Sequence, residues 1–443
     1  MNKFIIEQSD TENYTSHSGL SLVGLCLNRY GNINQVLKKI PLRHGIAHSD
    51  IVKSYIGTLC LGQSDFEAIE NHRQQPFFKQ ALSIKQVPST SRMRQRLDEY
   101  AEILLEPVYQ SNIAFLNTAQ VPVTPLKMGH VALDIDVYPM NNEKTQKEGV
   151  SRTYKGFDGY APIAAYLGQE GWCIANELRE GKQHCQSDFL YTLERVIPNA
   201  KALTNQLILV RLDSGHDALD TRVYLSQDEQ IDYILKWNPR KQNLEQWVAL
   251  ADEDNAWQVP REGKRVAYFS QEVNQQHQGQ TYRFRRVIKL TERTQTTNGQ
   301  MLVLPDLEIE GWWTSLQASA YSDEEIIALY KDHATSEQFH SEFKTDLDIE
   351  RLPSGKFATN DLIMTLSAYS YNILRWIGLI GLLGNMSPVR HSAKRRRLRT
   401  VIQELMYLAA RLVTTGRQMT LRFSKYCAGF SAFEATYGQL ASG

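Results

Sequence analysis

Two apolar, strand-like runs that each carry aspartate constrain this chain more than any other feature. In the run from His130 to Val137, the residues Val131, Leu133, Ile135 and Val137 alternate with Ala132, Asp134 and Asp136. A period of two sends both aspartates to the same side of the strand. The second run, from Gln206 to Asp213, is continuously apolar apart from Arg211 and ends on aspartate, with Ser214-Gly215 as its exit turn. A carboxylate in an apolar strand costs free energy unless it is paired, hydrogen-bonded or bound to metal. The simplest structural roles are a turn cap for Asp213 and a strand-edge pairing with a lysine for Asp134.

Between these runs the pattern predicts strands over 160–167 and 171–178, then a helix from 187 to about 197. Three strands, a helix and another strand open an RNase H-like α/β core. The expected fold class is therefore α/β. The expectation is an RNase H-like core interrupted by a β-rich insertion, with a helical N-terminal region and a helical C-terminal tail. The expected divisions are 1–122 for the N-terminal region, 123–225 for the first part of the core and 226–318 for the insertion. The closing helices of the core take 319–385, and a basic helical region takes 386–443.

The third constraint is the stretch 322–344. Ser322 with Glu325 is a capping-box start, and no proline or glycine follows before Pro353. At 100° per residue, Tyr330, His333, Glu337 and Lys344 fall within about 60° of one another, opposite Leu329, Phe339 and Phe343. Two strand aspartates followed by a helical glutamate suit a three-carboxylate cluster, and such oxygen donors favour Mg²⁺. A solvated face with incidental ion pairs is the plainer reading of the same stripe.

The chain of 443 residues has 49 Lys/Arg and 49 Asp/Glu, so its formal net charge is zero. That excludes an indiscriminate polyanion binder. The charge is unevenly placed: from Ser387 onward there are ten Lys/Arg and two Glu. The five cysteines are scattered and form no CxxC pair, which predicts reduced thiols rather than a disulfide framework or zinc site. The longest apolar run, around 373–383, contains Arg375 and glycines and is too short for a bilayer. With no signal-peptide pattern at Met1–Gln8, the expectation is a cytoplasmic protein without membrane contact.

Three further places invite contact with DNA phosphates. Pro88, Ser89 and Thr90 start a helix on which Arg92 and Arg96 share one face, as on a short recognition helix. The strand-like run 282–290 sets Arg283 and Arg285 on one side, facing DNA or solvent. Lys394, Arg395, Arg396 and Arg397 precede a helical apolar segment over 401–412 and are read as phosphate contacts.

The spacing Tyr330-(2)-His333-(3)-Glu337-(6)-Lys344 resembles the Tyr-(2)-Arg-(3)-Glu-(6)-Lys signature of insertion-sequence DDE transposases, with His333 where that group has Arg. Leu133-Asp-Ile-Asp136-Val, 147–162, Leu178-Arg-Glu-Gly-Lys-Gln-His184 and Arg211-Leu-Asp213-Ser-Gly-His216 precede it in order. Together they look like the bacterial insertion-sequence family numbered thirteen-eighty. The resemblance implies Asp136, Asp213 and Glu337 as the catalytic, metal-holding triad, with Asp134 the runner-up to Asp136. It implies two Mg²⁺ ions, for which Mn²⁺ may substitute, and Tyr330, His333 and Lys344 near phosphates. It also implies an aromatic that stacks a flipped base; Trp312 and Trp313 are candidates, with core packing the commoner role. The implied partners are element ends and target DNA, with a homodimer on DNA that is nucleoid-associated when bound. A metal-dependent nuclease that does not join, and a catalytically silent DNA-binding derivative, are the rival readings.

Overall fold

The aspartate-bearing run forms strand β1 (Val131–Val137) at the middle of one large sheet. The structure is a computed structural model and describes residues 3–442 except 43, 241, 254, 255, 297 and 417. Strands β2 (Ile163–Leu167) and β3 (Trp172–Glu177) follow as antiparallel neighbours on one side of β1. On its other side β4 (Ile208–Leu212) and β5 (Ile231–Lys236) pair parallel, after a return through a 15-residue helix, Phe189–Leu203. The order of this half is β3-β2-β1-β4-β5. Its strands are buried nearly throughout, which is why they read as continuous Val, Ile and Leu runs.

The β-rich stretch joins the same sheet. Strands β6 (Trp257–Arg261), β7 (Lys264–His277), β8 (Gln280–Gln295) and β9 (Met301–Thr314) run as an antiparallel meander, and β9 pairs with β5 through Trp312, Trp313 and Thr314. The long arms of β7, β8 and β9 extend the nine-stranded sheet outward from the aspartates.

Helices cover the sheet. Helix α1 (Thr90–Thr118) starts at Ser89, whose side chain accepts from the backbone N–H of Arg92. It is 29 residues long and packs along β3 and a central buried helix, so it is not the short recognition helix expected there. Helix α2 (Asp323–Lys331) has the expected capping box of Ser322 and Glu325. It does not continue to Lys344 as one α-helix. A 3₁₀ turn over Asp332–Thr335, helix α3 (Ser336–Ser341) and a π-helical turn over Glu342–Asp346 follow in line. Helix α4 (Phe357–Gly381) is the expected apolar closing helix. Its Asn372 bonds both the N–H and the C=O of Cys173, at 2.9 and 2.8 Å, and Asn112 at 2.8 Å. One amide side chain thereby satisfies the edge of β3 and ties it to α1.

The C-terminal region is not wholly helical. Ala410–Thr415 and Gln418–Phe423 form a hairpin that pairs with Asn13–Thr15 in a small sheet, and helix α5 (Phe430–Ser442) follows. Among the described residues, no helix is long and apolar enough to cross a membrane.

Candidate active site: two aspartates at the ends of adjacent parallel strands

The parallel register of β1 and β4 sets Ile135 opposite Leu212. The next residues are Asp136 and Asp213, so two carboxylates leave the sheet side by side at the carboxyl ends of neighbouring strands. Burial, and then the charge of Asp213, push the Asp136 carboxyl up to about 6. Burial pushes Asp213 the same way, but the hydrogen bond and charge of His216 outweigh it and hold Asp213 below the ordinary range. Asp213 also does the structural job expected of a turn aspartate. Its Oδ1 accepts from the N–H of Gly215 at 3.2 Å and lies 2.6 Å from His216 Nδ1.

Asp134 has a different fate. It lies opposite Arg211 in the same register, and the guanidinium grips both of its oxygens, at 2.6 and 2.7 Å. His333 Nδ1 approaches Oδ1 at 3.0 Å. Burial would raise this carboxyl; the charges of Arg211 and His333 and their hydrogen bonds reverse that and bring it down to about 2. The partner is an arginine inside the sheet rather than a lysine at its edge. His333 is itself buried, and the charge of Asp134 raises it against that burial. An imidazole held in this way ties the helical segment to β1 and does not face outward as a phosphate clamp.

Glu337 stands on α3 between two residues that touch β1. His333, four positions before it, meets Asp134, and His340, three positions after it, lies 3.9 Å from Asp136 and stacks on Tyr138 with ring centroids 4.4 Å apart. Glu337 itself is exposed. Tyr330 is half-buried with its ring 6.0 Å from that of Trp312, and burial and then the charges of Asp213 and Asp136 raise its pKa. Lys344 donates to the carbonyl of Pro139, lies 3.8 Å from Glu350, and has its pKa lowered by burial.

Sequence reasoning assigned no role to Tyr154, although it lies inside the 147–162 motif. Its ring is exposed while its hydroxyl donates to the Val137 carbonyl at 3.4 Å. Desolvation there, and then the charges of Asp136 and Asp213, push the phenol up to about 12. The exposed Lys155 ammonium lies 5.4 Å from the centre of that ring.

Several expected DNA contacts are turned inward. Arg96 is buried and donates to the carbonyl of Ile46 at 2.8 Å, whereas Arg92 is exposed. Arg285 is buried against Asp323 at 2.7 Å because its strand position faces α2; Arg283 is exposed beside Glu272 at 3.2 Å. In the basic run, Arg396 is buried and bonds the carbonyls of Leu382 and Val389 at 2.9 and 3.0 Å. Arg397 holds Asp346 at 2.8 Å, Arg395 bonds Gln338 at 2.8 Å and lies over Phe339, and exposed Lys394 reaches Gln169 at 3.2 Å. Trp312 and Trp313 are both buried in the core, 2% exposed, so neither ring is presented to a base.

The donor chemistry of the pair fits a hard divalent cation. The charge of Asp213 adds to burial in raising the Asp136 carboxyl, and a cation between the two would relieve that repulsion. Among the described residues, no three His, Cys, Asp or Glu side chains converge as a ready-made metal site, so Glu337 is not drawn into a group with the two aspartates.

These features describe an α/β protein with a carboxylate pair at the mouth of its central sheet. A family model described as transposase DDE domain group 1 matches residues 2–442. The chain belongs to that family of DDE transposases. No curated protein matches it. Among solved structures it is similar to a chain from a cryo-EM structure of the piggyBac transposase synaptic complex with hairpin DNA. The sequence identity is 10%, 98% of this chain and 85% of that chain are covered, and the TM-score is 0.37.

Proposed function

We propose that this chain is a DNA transposase of the insertion-sequence family numbered thirteen-eighty. It binds the terminal inverted repeats of its element, cuts there, and joins the 3′ ends to target DNA as a homodimer on DNA. The observation that carries the reading is the placement of Asp136 beside Asp213 by the parallel register of β1 and β4. The β3-β2-β1-β4-β5 order, antiparallel on one side of β1 and parallel on the other, supports the RNase H-like reading of the core.

In this reading Asp136, Asp213 and Glu337 would hold two Mg²⁺ ions. When bound, such ions activate the attacking water or 3′-hydroxyl and stabilise the leaving oxygen of an in-line displacement. The chain's own part is positioning. Arg211 keeps Asp134 out of the cleft, leaving Asp136 as the free carboxylate of β1. His333 and His340 hold the Glu337 helix against that strand. In the same reading Tyr154, Lys155 and Lys344 would meet phosphates near the cut, and exposed Arg92 and Arg283 would contact DNA farther out.

The test is cleavage and strand transfer on a labelled duplex of the element's end, comparing wild type with Asp213→Ala. Mg²⁺-dependent cutting and joining that the variant loses is the expected result. Cutting without joining would favour a nuclease, and binding without cutting in either protein would favour a silent DNA-binding derivative.

A further inference from the structure

The chain carries an exposed apolar arm and an open apolar groove that do not meet. Phe4, Ile5 and Ile6 are 91, 92 and 94% exposed, which is unusual for three consecutive large apolar side chains. The groove, about 440 Å³, lies between the N-terminal helix Leu20–Leu25, the hairpin 410–423 and α5. Leu25, Phe77, Met419, Leu421, Phe423 and Phe433 line it. Met419, Leu421 and Phe423 alternate with exposed Thr420 and Arg422 on the outermost strand of the small sheet. Among the described residues no strand pairs with that strand's outer edge. An unpaired edge beside an apolar groove is the arrangement that accepts an added strand.

We propose that the arm of a second copy of this chain, Lys3–Glu7, adds to the edge of Gln418–Phe423 and seats Phe4 and Ile6 in the groove. Residues two apart on a strand share a face, so Phe4 and Ile6 enter together while Ile5 stays outside. The charge agrees on the outer face: Glu7, on the same side of the arm as Ile5, meets exposed Arg422, which alternates with the groove-lining Leu421 and Phe423. The arm starts from the opposite edge of the same sheet, where Asn13–Thr15 pairs with 410–415 and Glu12 holds Arg411 at 2.7 Å. Within one chain the arm is left in solvent and the groove open, so two copies exchanging arms satisfy both surfaces by an isologous contact. This deepens the homodimer reading and is independent of the chemistry at Asp136 and Asp213.

The test uses the whole 443-residue chain without DNA. One preparation carries Ile6→Cys and another Leu421→Cys, both with Cys185→Ser and Cys427→Ser, and they are mixed and treated with a short bis-maleimide. A hetero-crosslinked product of twice the chain mass is expected, and deleting residues 2–8 is expected to weaken dimerisation at least tenfold by sedimentation. In a third preparation, one chain carrying both Ile6→Cys and Leu421→Cys, crosslinking confined to the single chain would overturn the proposal, since the arm would then fill its own groove. No crosslink at all would overturn it too. A deletion variant that dimerises like wild type would place the dimer contact elsewhere, overturning the exchange while leaving the homodimer reading intact.

Discussion

The guanidinium of Arg211 closes on both oxygens of Asp134, at 2.6 and 2.7 Å, and its remaining nitrogen bonds the Leu329 carbonyl at 2.8 Å. One arginine therefore joins β1, β4 and the end of α2. The same contact distinguishes two aspartates that the sequence presents alike. Asp134 is committed inside the sheet, and Asp136 is left at the cleft.

Breaking this pair from one side strands a buried charge. Arg211→Ala is expected to cost about 3–5 kcal/mol of stability, read by chemical denaturation. Arg211→Lys should recover only part of that, because an ammonium cannot grip both oxygens. A loss below about 1 kcal/mol would show that the pair does not anchor the sheet.

The opposite sign is expected at Asp136. Its folded pKa, about 6, is raised above the ordinary carboxylate value, so its contribution to stability is fully present below about pH 4. That contribution is lost as pH rises through 6. With metal chelated, Asp136→Asn should therefore stabilise the protein at pH 8 by up to about 3 kcal/mol and have little effect at pH 4. Thermal melts at the two pH values check this. Equal effects at both would contradict a raised Asp136 carboxyl, held up by burial and then by the charge of Asp213.

Glu337→Gln should keep end binding and lose cleavage on the order of a thousandfold, the scale of several kcal/mol of charge stabilisation. Electrophoretic mobility shift and cleavage on the same duplex separate the two effects. Normal cutting by the variant would remove Glu337 from the triad.

Arg92 and Arg96 should behave differently despite their shared helix. Arg92→Ala is expected to reduce the salt dependence of end binding by about one phosphate contact. Arg96→Ala should instead lower stability, since its guanidinium serves the Ile46 carbonyl and lies over the Tyr100 ring at 5.4 Å. Binding measured across a salt series, alongside melts, distinguishes them.

The elements around the site are legible where the signal is local. The alternation in β1, the apolar run of β4 and the capping box of α2 each lie within a few residues, and each forms where expected. Partners brought from afar are not legible. Asp134 could be told from Asp136 only once the register with β4 set Arg211 opposite it. The run Lys394–Arg397 looked like a solvated or phosphate-facing cluster because Asp346, Gln338 and the carbonyls of Leu382 and Val389, which take up its charge and donors, are distant or backbone groups. The start of the hairpin at 410–423 falls inside the helix expected over 401–412, although Val413, Thr414 and Thr415 are β-branched neighbours that favour a strand. Tyr154, inside the 147–162 motif, carries no signal of a role in sequence, because only folding brings its hydroxyl to the Val137 carbonyl beside the carboxylates.

The central claim is that Asp136, and not Asp134, holds metal at the cut. The most direct measurement is end cleavage by Asp136→Cys in Mg²⁺ and in Mn²⁺. A thiolate is a poor ligand for Mg²⁺ and a better one for Mn²⁺, so the expected result is loss of cleavage in Mg²⁺ and recovery in Mn²⁺. Cleavage in Mg²⁺ at the wild-type rate would contradict the claim.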